Sequence, residues 1–119
     1  MSEKRAGAAT PEDITRLFVE RANAGDLEGL VALYELDAVV AFPPGQRTVG
    51  HDAIRRLYAQ MLESRPRFQP EAPLPTLRVG DLALTATRAK DEAGGRAQVA
   101  RRQADGTWLR VLDRPDFRG

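Results

Sequence analysis

The segment RPRFQPEAPLP, residues 65–75, divides the chain into two regimes of side-chain periodicity. Its prolines cannot donate to a sheet ladder, so it reads as an edge or an irregular crossing, never a central strand. After it, DLALTATRAK, RAQVARRQ and TWLRVLDRP alternate with period two and are separated by DEAGG and ADG. Gly94-Gly95 and Asp105-Gly106 are hairpin signals, because tight two-residue turns need positive φ. Three long strands in a meander follow.

Before the proline-rich segment the period is helical. Thr10 is placed to cap a first helix, Pro11 suits its first position, and Glu12 and Asp13 complement the helix dipole. Ile14, Leu17, Phe18 and Ala22 then form one buried stripe. NAGD ends that helix, with Gly25 in a left-handed position and Asp26 capping a second helix whose apolar face is Leu27, Leu30, Val31 and Tyr34. LVALYELDAVVAFPPG, residues 30–45, reads as a helix end, a turn at LDA, a short apolar strand and a Pro-Pro-Gly stop. A third helix is expected from Asp52 to Ser64, with Ile54, Leu57, Tyr58, Met61 and Leu62 on one side. Helices first and antiparallel strands after make an α+β arrangement, helices on one face of a sheet. With 119 residues there is core for one domain, residues 11–119, behind a loose tail at 1–10.

Charge and composition narrow the function. Net charge is +1, and the 18 basic residues are 16 arginines plus Lys4 and Lys90, against 17 acids. A nucleic-acid surface calls for clustered excess base and stacking aromatics, so that class is set aside. No apolar run reaches the ~18 residues of a membrane span, and residues 1–10 lack the apolar middle of a signal peptide. With no cysteine and a single histidine, neither a disulfide framework nor a metal site is expected, and no cofactor is called for. A cytoplasmic protein is the expectation.

Four segments in order, NAGDLEGLVALYELDAVVAFPPG, VGHDAIRRLYAQML, GDLALTAT and RRQADGTWLRVLDRP, resemble the nuclear-transport-factor-2-like superfamily, and within it the SnoaL-like and ketosteroid-isomerase-like branch. The resemblance implies a cone-shaped, curved antiparallel sheet wrapped around three N-terminal helices. It also implies a pocket at the open end and a homodimer formed through the sheet. In the steroid isomerases a carboxylate just before the proline of the first strand moves the proton; that position here is Phe42. The oxyanion-stabilising tyrosine of their first helix corresponds to Phe18, and no Asp or Glu lies between Glu92 and Asp105 to complete the oxyanion hole. The supporting tyrosine of the third helix is matched by Tyr58. Without base and donor, steroid-isomerase chemistry is not expected.

Other candidates carry two readings each. Cyclases and dehydratases of the superfamily pair a histidine with an aspartate; His51 is either such a residue or an exposed neighbour of a helix start, where it or Asp52 serves as cap. Asp113 alternates with Leu109 and Val111; on a concave face it needs a partner such as Arg101, Arg102 or a tyrosine hydroxyl. It is then either a base, with Tyr58 or an arginine as polarising donor, or half of a structural ion pair. Phe18, Tyr34, Phe42, Tyr58 and Trp108 either line a ligand pocket or fill the core. Arg88, Arg101, Arg102 and Arg110 read as a solvated or dimer-facing sheet surface.

Three functions compete. The leading one is a homodimer that binds a small, largely apolar molecule in the cone without steroid-isomerase chemistry. The second is an isomerase, dehydratase or hydrolase using Asp113 with Tyr58 or His51. The third is an association module working through dimerisation.

Overall fold

The computed structural model describes residues 7–88 and 95–117, with side chains to Pro115. Thr10, with φ −135°, accepts a hydrogen bond from the Asp13 amide and starts α1, Pro11–Asn23. Gly25 adopts φ +69° just beyond its end, a conformation that costs a side-chain-bearing residue dearly. Asp26 then caps α2, Leu27–Val31, through the Gly29 amide at 3.0 Å. That helix is only five residues long. Tyr34, expected on its apolar face, instead opens β1, Tyr34–Val40.

The expected turn at LDA is likewise absorbed into β1. Between Tyr34 and Val39 the register advances five positions on β1 against two on its neighbour, so the strand bulges there and Leu36 is thrown outward. β2, Thr48–Val49, folds back on β1, and α3 follows at His51–Glu63. Gly50 occupies the cap of α3 with φ +88° and no side-chain bond, so neither His51 nor Asp52 is the cap. α3 buries Ile54 and Tyr58.

Residues 65–76 cross without regular structure, as their prolines demand. The crossing is pinned at one end by Asn23, whose side chain exchanges two hydrogen bonds with the Phe68 backbone at 2.8 and 3.1 Å. Further on, the Leu74 amide donates to the Ala86 carbonyl. β3 (Leu77–Val79), β4 (Leu82–Thr87), β5 (Gly95–Arg102) and β6 (Trp108–Phe117) complete a six-stranded sheet in the order β2-β1-β6-β5-β4-β3. All pairings are antiparallel except β1 with β6, which is parallel. The turn at Asp105-Gly106 forms as expected, with Gly106 at φ +87°; the Gly94-Gly95 turn reaches residue 94, outside the described residues.

The sheet is an open, curved α+β sheet with its helices on the inner face. Leu30, Leu33, Ile54, Val40 and Trp108 form the heart of the core there. Within the supposed tail, Ala8 is buried and its carbonyl accepts from the Trp108 amide at 3.0 Å, so a loose tail does not extend to this residue. The outer face carries an uncommon feature. Leu77, Leu84, Val99, Leu112, Val39 and Val49 are successive register partners, giving one apolar row across all six strands.

Candidate functional site

β6 decides what the interior contains. Val99 pairs with Leu112 and the adjacent Ala100 with Arg110, leaving Val111 as an extra residue in the ladder. Strict alternation would put Asp113 with Leu109 and Val111. The bulge corrects this: Trp108, Arg110 and Asp113 are the buried members, while Leu112 is exposed. Arg110, expected on the surface, is 4% exposed. It is held inside because Asp113 supplies the counter-charge and the rings of Phe18 and Tyr34 flank its guanidinium at 5.3 and 5.8 Å. Arg101 and Arg102, expected as partners of Asp113, bond instead to Glu35 and Asp81 on the outside.

Around Asp113 a polar cluster closes. The Tyr34 hydroxyl donates to Asp113 Oδ2 at 2.6 Å, and Gln98 Nε2 donates to Oδ1 at 3.2 Å. Tyr58 and Tyr34 share a bond of 2.6 Å between their hydroxyls. Arg110 Nη1 reaches Tyr34 Oη at 3.2 Å and Asp113 Oδ2 at 3.5 Å, and Nη2 reaches Thr15 Oγ1 at 3.4 Å. Burial raises the pKa of both phenols, and the charge of Asp113 adds to it. Burial alone would lower that of Arg110, but the oxygens of Tyr34 and Asp113 outweigh it and the net direction is upward.

This cluster forms the polar end of a cavity of about 460 Å³ between α1, α3, the crossing segment and the inner sheet. Phe18, Val19, Phe42, Leu57, Met61 and Phe68 are its apolar walls. Phe18 packs edge-on against Tyr58 and Phe68, with centroids at 5.7 and 5.8 Å. Near the crossing, Arg96 Nη1 grips both oxygens of Glu71 at 2.7 and 2.8 Å, and Thr87 donates to the same carboxylate.

A profile of the SnoaL-like domain matches residues 15–114. The chain belongs to the SnoaL-like domain family. Solved structures similar to this SnoaL-like domain share its fold at low identity. A candidate calcium/calmodulin-dependent protein kinase type II association domain from Thiobacillus denitrificans superposes with a TM-score of 0.73 at 22% identity, covering 93% of this chain and 98% of that one. A ketosteroid isomerase-like protein from Erwinia carotovora atroseptica gives 0.65 at 20% identity, with 87% and 89% covered. A candidate dehydratase of the NTF2-like family from Streptomyces avermitilis gives 0.68 at 17% identity, with 87% and 90% covered. At these identities the likeness is one of fold.

The SnoaL-like cavity gathers some of the residues anticipated from sequence and leaves others out. Phe18, Phe42, Tyr58 and Asp113 line it. Tyr34 lies behind, reaching the cavity's polar end through its bonds to Tyr58, Asp113 and Arg110. Trp108 is buried away from the cavity, with the Arg78 guanidinium 4.7 Å from its ring and Ala8 bridged to its backbone. His51 is not a lining residue: its Nε2 bonds the Tyr34 carbonyl at 2.7 Å, bracing the start of β1. Sequence reasoning missed Arg110, Gln98 and Thr15, because a bulge and a helix-to-strand approach create their neighbourhood. Chemically, the cluster can hold the polar group of a bound molecule, and a proton arriving at Asp113 has a path through Tyr34 and Tyr58. Among the described residues no group of His, Asp or Glu could hold a metal ion. None of the described helices is long and apolar enough to cross a membrane.

Proposed function

We propose that this SnoaL-like domain binds a small, largely apolar molecule in its cone, with no steroid-isomerase chemistry. The single observation that carries the reading is the cavity of about 460 Å³, a size usual for small-molecule sites, with apolar walls, the Asp113 cluster on the inner sheet and the Arg96–Glu71 pair near the crossing. Phe42 lines the wall where a base would be needed, which supports binding without that reaction. Titration with tetralin, followed by calorimetry and by thermal unfolding, tests it. Saturable binding with a rise in Tm, abolished by Val19→Trp in a folded variant, is the expected result. No binding and no Tm shift would sink the reading.

A second reading concerns assembly. The apolar row from Leu77 to Val49, with Leu77 65% and Leu112 49% exposed, favours a homodimer joined through the outer face of the sheet. A second copy is the natural occupant, because one row can lie against its own symmetry mate in a two-fold contact. The expectation is a dimer at micromolar concentration by light scattering; a monomer would count against it.

A further inference from the structure

Charge pairing around the cavity restricts what it can hold. Its charged lining is Arg67, Arg96 and Arg110 against Glu71 and Asp113, a surplus of one positive charge. Two of the cations are committed. Arg96 Nη1 holds both oxygens of Glu71 at 2.7 and 2.8 Å, and Arg110 Nη1 lies 3.5 Å from Asp113 Oδ2. The third is Arg67. Among the described residues its guanidinium has no ion pair and no hydrogen bond.

Arg67 belongs to the crossing segment, lines the cavity and is exposed, so it stands where the cavity opens to solvent. Its backbone is held there. Asn23 exchanges two hydrogen bonds with the backbone of Phe68, the next residue, and the Phe68 ring packs edge-on against Phe18 in the apolar wall. Pro66, on the other side, has its φ fixed by its ring. A cation on a pinned backbone therefore adjoins an aromatic wall, within reach of a single small molecule.

The same pairing decides where an anion can sit. At the inner end a carboxylate would face Asp113, and beside Arg96 it would face Glu71. In either place it meets a like charge and loses its hydration. At the mouth it meets an uncompensated guanidinium, whose planar fork fits a carboxylate, and it keeps part of its water. One surplus positive charge matches a monoanion; a dianion such as a phosphate monoester would overcompensate it.

We infer that the molecule bound here is an apolar monocarboxylic acid, its skeleton among Phe18, Leu57, Met61 and Phe68 and its carboxylate at the mouth on Arg67. This rests on the pocket-binding reading above and narrows it to a ligand class.

The test compares three molecules of one skeleton, tetralin, tetralin-6-carboxylate and tetralin-6-carboxamide, by calorimetric titration of the intact protein at neutral pH. An ion pair at an exposed position corresponds to a preference of about fivefold for the carboxylate over the carboxamide, narrowing as salt is raised. Arg67→Gln should bring that ratio to about one and Arg67→Glu should invert it, while tetralin binds both variants as it binds the wild type. Arg67 is exposed, so both variants are expected to keep the wild-type Tm. Carboxylate binding no tighter than carboxamide binding in the wild-type protein would overturn the inference, and with tetralin still bound the pocket reading would stand. A carboxylate preference that survives Arg67→Gln undiminished would overturn the assignment to Arg67. Failure of all three molecules to bind would remove the pocket reading and this inference with it.

Discussion

Arg110 and Asp113 are three residues apart on one strand and nevertheless face each other, Nη1 to Oδ2 at 3.5 Å, because Val111 between them is bulged out of the ladder. On a regular strand residues at that spacing point to opposite faces. The irregularity is what allows an ion pair to be built into the interior at the cavity's polar end, with both side chains almost wholly enclosed.

Breaking that pair from one side should be severe. Arg110→Met leaves Asp113 inside with only Tyr34 and Gln98 as donors, and loss of a buried counter-charge typically costs about 3–5 kcal/mol. Adding Asp113→Asn removes the stranded charge, so the double variant is expected to be more stable than the sum of the two single changes by about 1–3 kcal/mol. Urea unfolding of the four proteins closes the cycle. Strict additivity would show that the two groups do not act as a pair.

The phenols make a pH prediction with a definite sign. Tyr34 and Tyr58 are the only two tyrosines in the chain, so the tyrosinate absorbance of the whole protein reports on the cluster. Both have folded pKa values raised above the unfolded value, burial being the first cause and Asp113 the second. Their contribution to stability is therefore fully present below the unfolded pKa of about 10 and is lost as pH rises through the folded values. Above pH 10 stability should fall by about 1.4 kcal/mol per pH unit for each tyrosine, and tyrosinate should appear only with unfolding. Ionisation near pH 10 in the folded protein would contradict the enclosed cluster.

How much of this was legible beforehand depends on which physical signal carried it. Period-two alternation after Arg65 and the Asp105-Gly106 turn announced the meander, and Thr10-Pro11 announced α1, because those signals are local. The inward face of β6 was not legible. One extra residue at Val111 inverts the faces on either side of it, and alternation read through the bulge from Asp113 puts Leu109 and Val111 on the inner face and assigns Arg110 to solvent, whereas Trp108 and Arg110 are the buried residues. Tyr34 was misplaced for a related reason: Leu27, Leu30, Val31 and Tyr34 satisfy helical spacing, but α2 stops at Val31 and the stripe runs on into a strand. Phe18, Phe42, Tyr58 and Asp113 were each identified singly. What sequence could not supply was their company, since Thr15, Gln98 and Arg110 come to the cavity from a helix and two strands.

His51 separates a bracing role from a chemical one. Its Nε2 holds the Tyr34 carbonyl at 2.7 Å and it does not line the cavity. His51→Ala should therefore lower stability by about 1 kcal/mol, the ordinary worth of one hydrogen bond, while the affinity for tetralin stays within about twofold of wild type. Parallel urea unfolding and calorimetric titration measure the two quantities. A large loss of affinity at unchanged stability would assign His51 to the site instead.

The outer face offers the last test. Leu112 lies in the middle of the apolar row, flanked in register by Val99 and Val39, and the residue is 49% exposed. A charge there costs little in an isolated subunit, because water reaches it; surface changes away from special features are usually within about 0.5 kcal/mol. Buried against an identical row, the same charge would be brought near its symmetry mate without a partner, a change worth several kcal/mol. Leu112→Glu should therefore abolish dimerisation in sedimentation velocity at micromolar protein while leaving far-ultraviolet circular dichroism unchanged. A variant that remains dimeric would move the contact away from the middle of this row, and toward its β3 end at the sheet edge, where Leu77 and Val79 are exposed.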